Sequence, residues 1–150
     1  MKTLFAVAAA TLALTGPVLA EGDAAKGEKT FKKCKSCHMI VSPEGETIVK
    51  GGKTGPNLYG VIGRVAGSTD FKYGKDLVAA GEGGLVWDAE SLTSYAKDPK
   101  GYLKEVTGNS KAKSKMTFKL KKGGEDVAAY LASVAPAPAA TEEAETPAAE

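Results

Sequence analysis

Histidine occurs once in this 150-residue chain, cysteine twice, tryptophan once and methionine three times. One His and two Cys fall short of the four ligands a structural zinc site usually takes. Arg64 is the single arginine, so a nucleic-acid surface built on guanidinium groups is excluded in an exported chain. No stretch reaches the ~20 apolar residues that span a bilayer. No segment alternates apolar and polar residues convincingly enough to predict a strand, and there is no internal repeat.

The termini are set apart by composition. Lys2, the apolar run Leu4 to Leu14, the Gly16-Pro17 break and the small residues ending at Ala20 read as a secretory signal over 1–20, cleaved after Ala20. From Ala135 the chain reads APAPAATEEAETPAAE, which predicts a disordered, acidic Ala/Pro/Glu-rich tail over 135–150. A single small domain over 21–134 remains, exported to the periplasm and not inserted in a membrane. A core that small needs further support, which a buried cofactor would supply. Residues 21–134 hold nineteen Lys and Arg against fourteen Asp and Glu, while the tail carries four Glu and no base. Nine of the lysines lie between Lys97 and Lys122, against Asp98 and Glu105 alone. This reads either as an ordinary solvated surface or as a face that steers toward an acidic partner.

Helix signals recur along the domain. Asp23 caps a helix running to about Lys33, with Ala24, Gly27 and Phe31 at helical spacing. A short helix is expected over 75–80. Asp88 opens one to Lys97, and Asp98-Pro99 opens another to about Val106. A last helix from Gly124 or Glu125 carries Val127, Tyr130, Leu131 and Val134 on one face. Residues 41–70 and 108–116 read as loops. The fold class is all-α, with helices and long loops.

Cys34-Lys35-Ser36-Cys37-His38 is a c-type haem attachment signature. Positions 34, 37 and 38 share one face of a helical turn, so two thiols can add to two haem vinyls while the imidazole reaches the iron from the same side. The alternatives are a zinc half-site, a thioredoxin-like pair and a structural disulfide. The first lacks ligands and the second lacks a βαβ setting. The third leaves His38 and the Gly-rich loops without a purpose. A haem iron then needs a second protein ligand or an open position. Met1 leaves with the signal and Met39 adjoins His38, so Met116 is the candidate, and His with Met raises the potential. Core filler is the other role open to it, although Ser-Lys-Met-Thr-Phe is a polar setting. A carbonyl in the Thr54-Gly55-Pro56-Asn57 turn suits the other N–H of His38. Arg64, Tyr73 and Trp87 offer groups for haem propionates, with plain packing or surface placement equally open for each.

Taken in order, Cys34 to His38, Lys53 to Gly60, Gly63-Arg64, Ala66-Gly67, Phe71 to Tyr73, Trp87, Leu92 to Pro99 and Lys115 to Phe118 resemble class I cytochrome c. The likeness is greatest to the soluble carriers of purple and related bacteria, the cytochrome c-two group. It covers nearly all of 22–134. The resemblance implies one covalent haem c on Cys34 and Cys37, with iron bound by His38 and Met116. It also implies that the Pro56 carbonyl accepts from His38, that Arg64, Tyr73 and Trp87 surround the inner propionate, and that Tyr95 stands near the methionine sulfur. Gly27, Phe31 and Tyr130 match the crossing of the first and last helices. Lys32, Lys35, Lys113, Lys115 and Lys119 match partner-docking positions. Two spans depart from mitochondrial members by being longer, Tyr73 to Trp87 and the Gly108 to Ser114 loop, where Ser114 is a candidate replacement for a threonine.

The function implied is electron transport in photosynthesis or respiration. The expected protein is a monomeric carrier rather than an enzyme, moving electrons from a cytochrome bc1-type quinol-oxidising complex to a photosynthetic reaction centre, a terminal oxidase or both. A haem enzyme or gas sensor would need an open iron position instead, and a thiol–disulfide protein would need Cys34 and Cys37 free.

Overall fold

A computed structural model describes residues 22–135. The expected signal, its cleavage site after Ala20 and all of the tail but Ala135 lie outside the described residues. Ala135, assigned to the start of that tail, is buried. Five helices carry the fold: α1 (Ala24–Phe31), α2 (Lys75–Glu82), α3 (Ala89–Lys97), α4 (Pro99–Thr107) and α5 (Gly124–Val134). Among the described residues no helix is long and apolar enough to cross a membrane.

The helix starts follow their caps. Asp23 accepts from the Lys26 amide at 3.0 Å and ends α1 on the N-terminal side. Asp88 and Ser91 form a reciprocal capping box at α3. Asp98 closes α3 and caps α4, accepting from the Gly101 amide at 3.3 Å with Pro99 at the first helical position. Gly108, with φ 63°, ends α4 in the left-handed region. α1 is shorter than expected, stopping at Phe31, because the chain then tightens into consecutive turns. α2 continues to Glu82, two residues beyond the expected end.

One expectation is corrected. Residues 41–70 are not all loop, and strands do occur: β1 (Ile40–Val41) pairs antiparallel with β2 (Thr47–Val49). The Asn57 side chain clasps the Val41 backbone, accepting from its N–H at 3.0 Å and donating to its C=O at 2.6 Å. A lone bridge also joins Val65 to Val86.

α1 and α5 cross at the centre of the packing. A Cβ on Gly27 would stand 1.9 Å from the Asp126 carbonyl oxygen, so only glycine permits this approach. Beside it the Phe31 and Tyr130 rings meet at 5.7 Å. The Asp126 carboxylate accepts from the Asp23 amide at 2.8 Å, joining the start of α5 to that of α1. Phe31, Ile40, Leu103 and Leu131 are almost fully buried, each worth about 1.5–3 kcal/mol relative to exposure.

Candidate functional site

Past Phe31 the chain winds rather than extends. The Cys34 amide donates to Phe31 O at 2.8 Å, Cys37 to Cys34 O at 3.1 Å, and His38 to Cys34 O at 3.0 Å. These turns bring Cys34, Cys37 and His38 to one side, where they line a single cavity of about 300 Å³. The same cavity is lined by Pro56, Arg64, Tyr73, Trp87, Tyr95 and Met116, so every residue named from the sequence for the haem itself meets there. Leu58, Val61, Leu77, Leu92, Leu103 and Leu131 supply apolar wall.

No disulfide joins the two thiols, and they differ in environment. Burial, followed by the neighbouring Cys37, pushes the Cys34 thiol up to about 11, with Lys33 opposing. Cys37 is exposed, and hydrogen bonds from Thr54 and then Ser36 hold its pKa below the ordinary value. His38 donates its Nδ1–H to Pro56 O at 2.9 Å. Because that carbonyl can only accept, the lone pair is left on Nε2. Burial lowers the His38 pKa, against the raising effect of the Pro56 carbonyl. The neutral imidazole is the form a metal requires. Gly55 packs on the ring: a Cβ there would lie 2.4 Å from Cε1.

Arg64 spans the rim. Its guanidinium donates to Tyr59 O at 2.9 Å and Asn57 O at 3.2 Å. It has no carboxylate partner within ion-pair distance among the described residues, and burial depresses its pKa. Tyr73 bonds Thr69 through their hydroxyls. Trp87 and Tyr95 are 6 % and 8 % exposed, with rings 5.1 Å apart. The Tyr95 hydroxyl shares a hydrogen bond with Ser114 Oγ at 3.1 Å, and burial raises its pKa.

The donor chemistry fits a haem. Among the described residues no three His, Cys, Asp or Glu gather as a site for a bare ion. One imidazole nitrogen and one thioether suit an iron whose other positions are filled by a macrocycle. Apolar walls suit that ring, and a half-buried guanidinium without a carboxylate suits its propionates.

Three contributors were not read from the sequence. Tyr102 stacks on Trp87 at 6.4 Å and meets Tyr95 edge-on at 6.1 Å. Its place one helical turn after Asp98 was the available signal. Thr69 holds Tyr73, and Asp76, buried at the start of α2, holds the loop leading to Met116. Of the expected docking lysines, Lys113 and Lys115 stand at the cavity, and Lys32 and Lys35 are exposed. Lys119 is instead paired with Asp98 at 2.8 Å.

No protein-family model matches the chain, but individual relatives do. It is 63 % identical to cytochrome c-551 of Roseobacter denitrificans over 133 residues, covering 89 % of this chain and 95 % of that one. Identity to cytochrome c2 of Rhodobacter capsulatus is 58 % over 133 residues, 88 % of this chain and 96 % of the relative. The solved structure of the Rhodobacter capsulatus cytochrome c2 superposes with a TM-score of 0.74 at 61 % identity, covering 75 % and 98 % of the two chains. That of ferric cytochrome c-550 from Paracoccus versutus superposes at 0.75, with 56 % identity and 77 % and 100 % coverage. Likeness of this extent in both sequence and backbone places the chain in the class I cytochrome c family, in its bacterial c2 group: an electron-transfer protein with one covalent haem c, not an enzyme.

Proposed function

We propose that this cytochrome works as a monomeric periplasmic shuttle. It takes single electrons from a cytochrome bc1-type quinol-oxidising complex and delivers them to a photosynthetic reaction centre, a terminal oxidase or both. Bound haem supplies one iron that passes between ferric and ferrous. Cys34 and Cys37 would hold the group through thioether bonds, and His38 Nε2 and the Met116 sulfur would bind its iron. Pro56 fixes the imidazole ring. Arg64, Tyr73 and Trp87 would receive a propionate, and Tyr95 would order the surroundings of Met116. Two protein donors that stay in place keep reorganisation small. The signal over 1–20, cleaved after Ala20, accounts for export.

The observation that carries this reading is the convergence of Cys34, Cys37, His38 and Met116 on one apolar cavity, with the second imidazole nitrogen already committed to Pro56 O. Lys33, Lys113 and Lys115 border that cavity. With Lys32 and Lys35 they form a cationic rim for an acidic docking surface, giving weak, fast, salt-sensitive encounters. The test is the second-order rate of reduction by a purified bc1-type complex across ionic strength. The rate is expected to fall steeply as salt rises. A rate independent of salt would remove the lysine rim.

A further inference from the structure

The two spans that are longer than the mitochondrial pattern, Tyr73 to Trp87 and Gly108 to Ser114, touch each other. The first folds as α2, whose second residue is Asp76. The Asp76 side chain is 8 % exposed and has no cation beside it among the described ion pairs. Both carboxylate oxygens face the second span: Oδ2 accepts from the Lys113 amide at 3.0 Å, and Oδ1 accepts from Asn109 Nδ2 at 3.5 Å. Asn109 organises that loop, since its own Oδ1 accepts from the Lys111 amide at 3.0 Å. Lys113 lies three residues before Met116. In between, Ser114 is held by Tyr95, and the Lys115 ammonium donates to the Lys72 carbonyl at 2.8 Å.

We propose that Asp76 is a positioning residue for the iron's methionine, clamping the 109–113 loop so that Met116 is held at the cavity. The proposal rests on Met116 being the second axial ligand. Asp76 lies in the first turn of α2, where the helix N-terminus favours an acidic side chain, and each of its two oxygens accepts from the facing loop. The clamp makes the two longer spans a matched pair: the loop has no regular structure of its own, and α2 provides the anchor it lacks. Tyr95 and Lys72 hold the residues next to Met116, while Asp76 holds the segment before them. Losing it therefore frees the approach to Met116 without dissolving the cavity.

Asp76→Asn tests this, because an amide can accept on only one side and must set its NH2 against one of the two donors. The readout is imidazole affinity of the ferric holoprotein, followed in its absorption spectrum, beside wild type, Asp23→Asn and Met116→Ala. Asp23→Asn makes the same chemical change at the cap of α1, outside the clamped loop. Met116→Ala reports a fully open position. Imidazole is expected to bind D76N roughly ten- to a hundredfold more tightly than wild type, the scale of losing a hydrogen bond to a charged group, and D23N no more tightly than wild type. Asn109→Ala, which removes one of the two donors, is expected to move affinity the same way by a smaller factor. Equal affinity in wild type, D76N and N109A overturns the clamp, as does an equal rise in D23N, which would mean general loosening. Wild type binding imidazole as tightly as M116A would remove the axial role of Met116 itself, and the clamp with it.

Discussion

Replacing Gly27 by alanine sets two effects of opposite sign against each other. Helix propensity favours alanine by about 1 kcal/mol at an interior position. At the α1–α5 crossing the added carbon would meet the Asp126 carbonyl oxygen at 1.9 Å, its carbon at 2.5 Å and Tyr130 Cβ at 2.7 Å. Ordinary contacts need ~3.5 Å, so the two helices must part by roughly 1.5 Å. Two of the three obstacles are backbone atoms, which cannot rotate aside. Parting loosens Phe31 against Tyr130 and thins the packing of Val127 and Leu131, all of them buried. A radial gap of that size forfeits half or more of each dispersion contact. Overpacking commonly costs 1–3 kcal/mol and occasionally more, and the clash with backbone puts G27A at the upper end, about 3 kcal/mol net of propensity. For a domain near 110 residues that is a fall in Tm of about 10–20 °C. Urea unfolding of the ferric holoprotein, followed by far-UV circular dichroism, measures the free-energy change, and a thermal melt measures the fall in Tm. Gly108→Ala is the comparator: φ is 63° there, but a Cβ would meet nothing within 4 Å, so only the left-handed backbone is penalised, by about 1–2 kcal/mol. A G27A protein as stable as wild type would refute the close crossing.

Two further outcomes follow from the caps and the aromatic wall. The Asp88 carboxyl is held below the usual range chiefly by the Ser91 amide. A depressed folded-state value contributes stability above the unfolded carboxylate pKa of about 4 and loses it as pH falls through the folded value. Asp88→Asn should therefore unfold with a shallower pH dependence below pH ~4 than wild type, and identical slopes would contradict the capping account. Tyr95→Phe removes the hydroxyl bonded to Ser114 at 3.1 Å, for an expected loss of about 1 kcal/mol. In a double-mutant cycle Ser114→Ala should add little more, whereas full additivity would mean the two hydroxyls act separately.

Much of this protein was legible before any fold was in hand, for reasons that differ from residue to residue. The attachment turn could be read because covalent capture demands two thiols and an imidazole at fixed spacing, and Cys34, Cys37 and His38 have it. The helix starts could be read because Asp23, Asp88 and Asp98 each cap a helix in the fold. The β1–β2 hairpin could not. Strands of two and three residues with an irregular register are too short to show alternation, and what holds Val41 is Asn57, far along the chain. Asp76 escaped for a related reason: an acid in the first turn of a helix looks like a solvated charge, and only the fold brings Asn109 and Lys113 to it. Ala112, fully buried within a loop read as polar, joins a core that local composition does not announce.

The central claim is that His38 and Met116 together occupy the iron's protein-side positions in a haem fixed by Cys34 and Cys37. Its most direct test is the absorption spectrum of the ferrous holoprotein with and without carbon monoxide, recorded for wild type and Met116→Ala. No change in wild type on adding the gas, beside clear binding in the variant, is the predicted result. Rapid, tight binding by wild type would mean an open position, and the account of this protein as a closed-site carrier would be wrong.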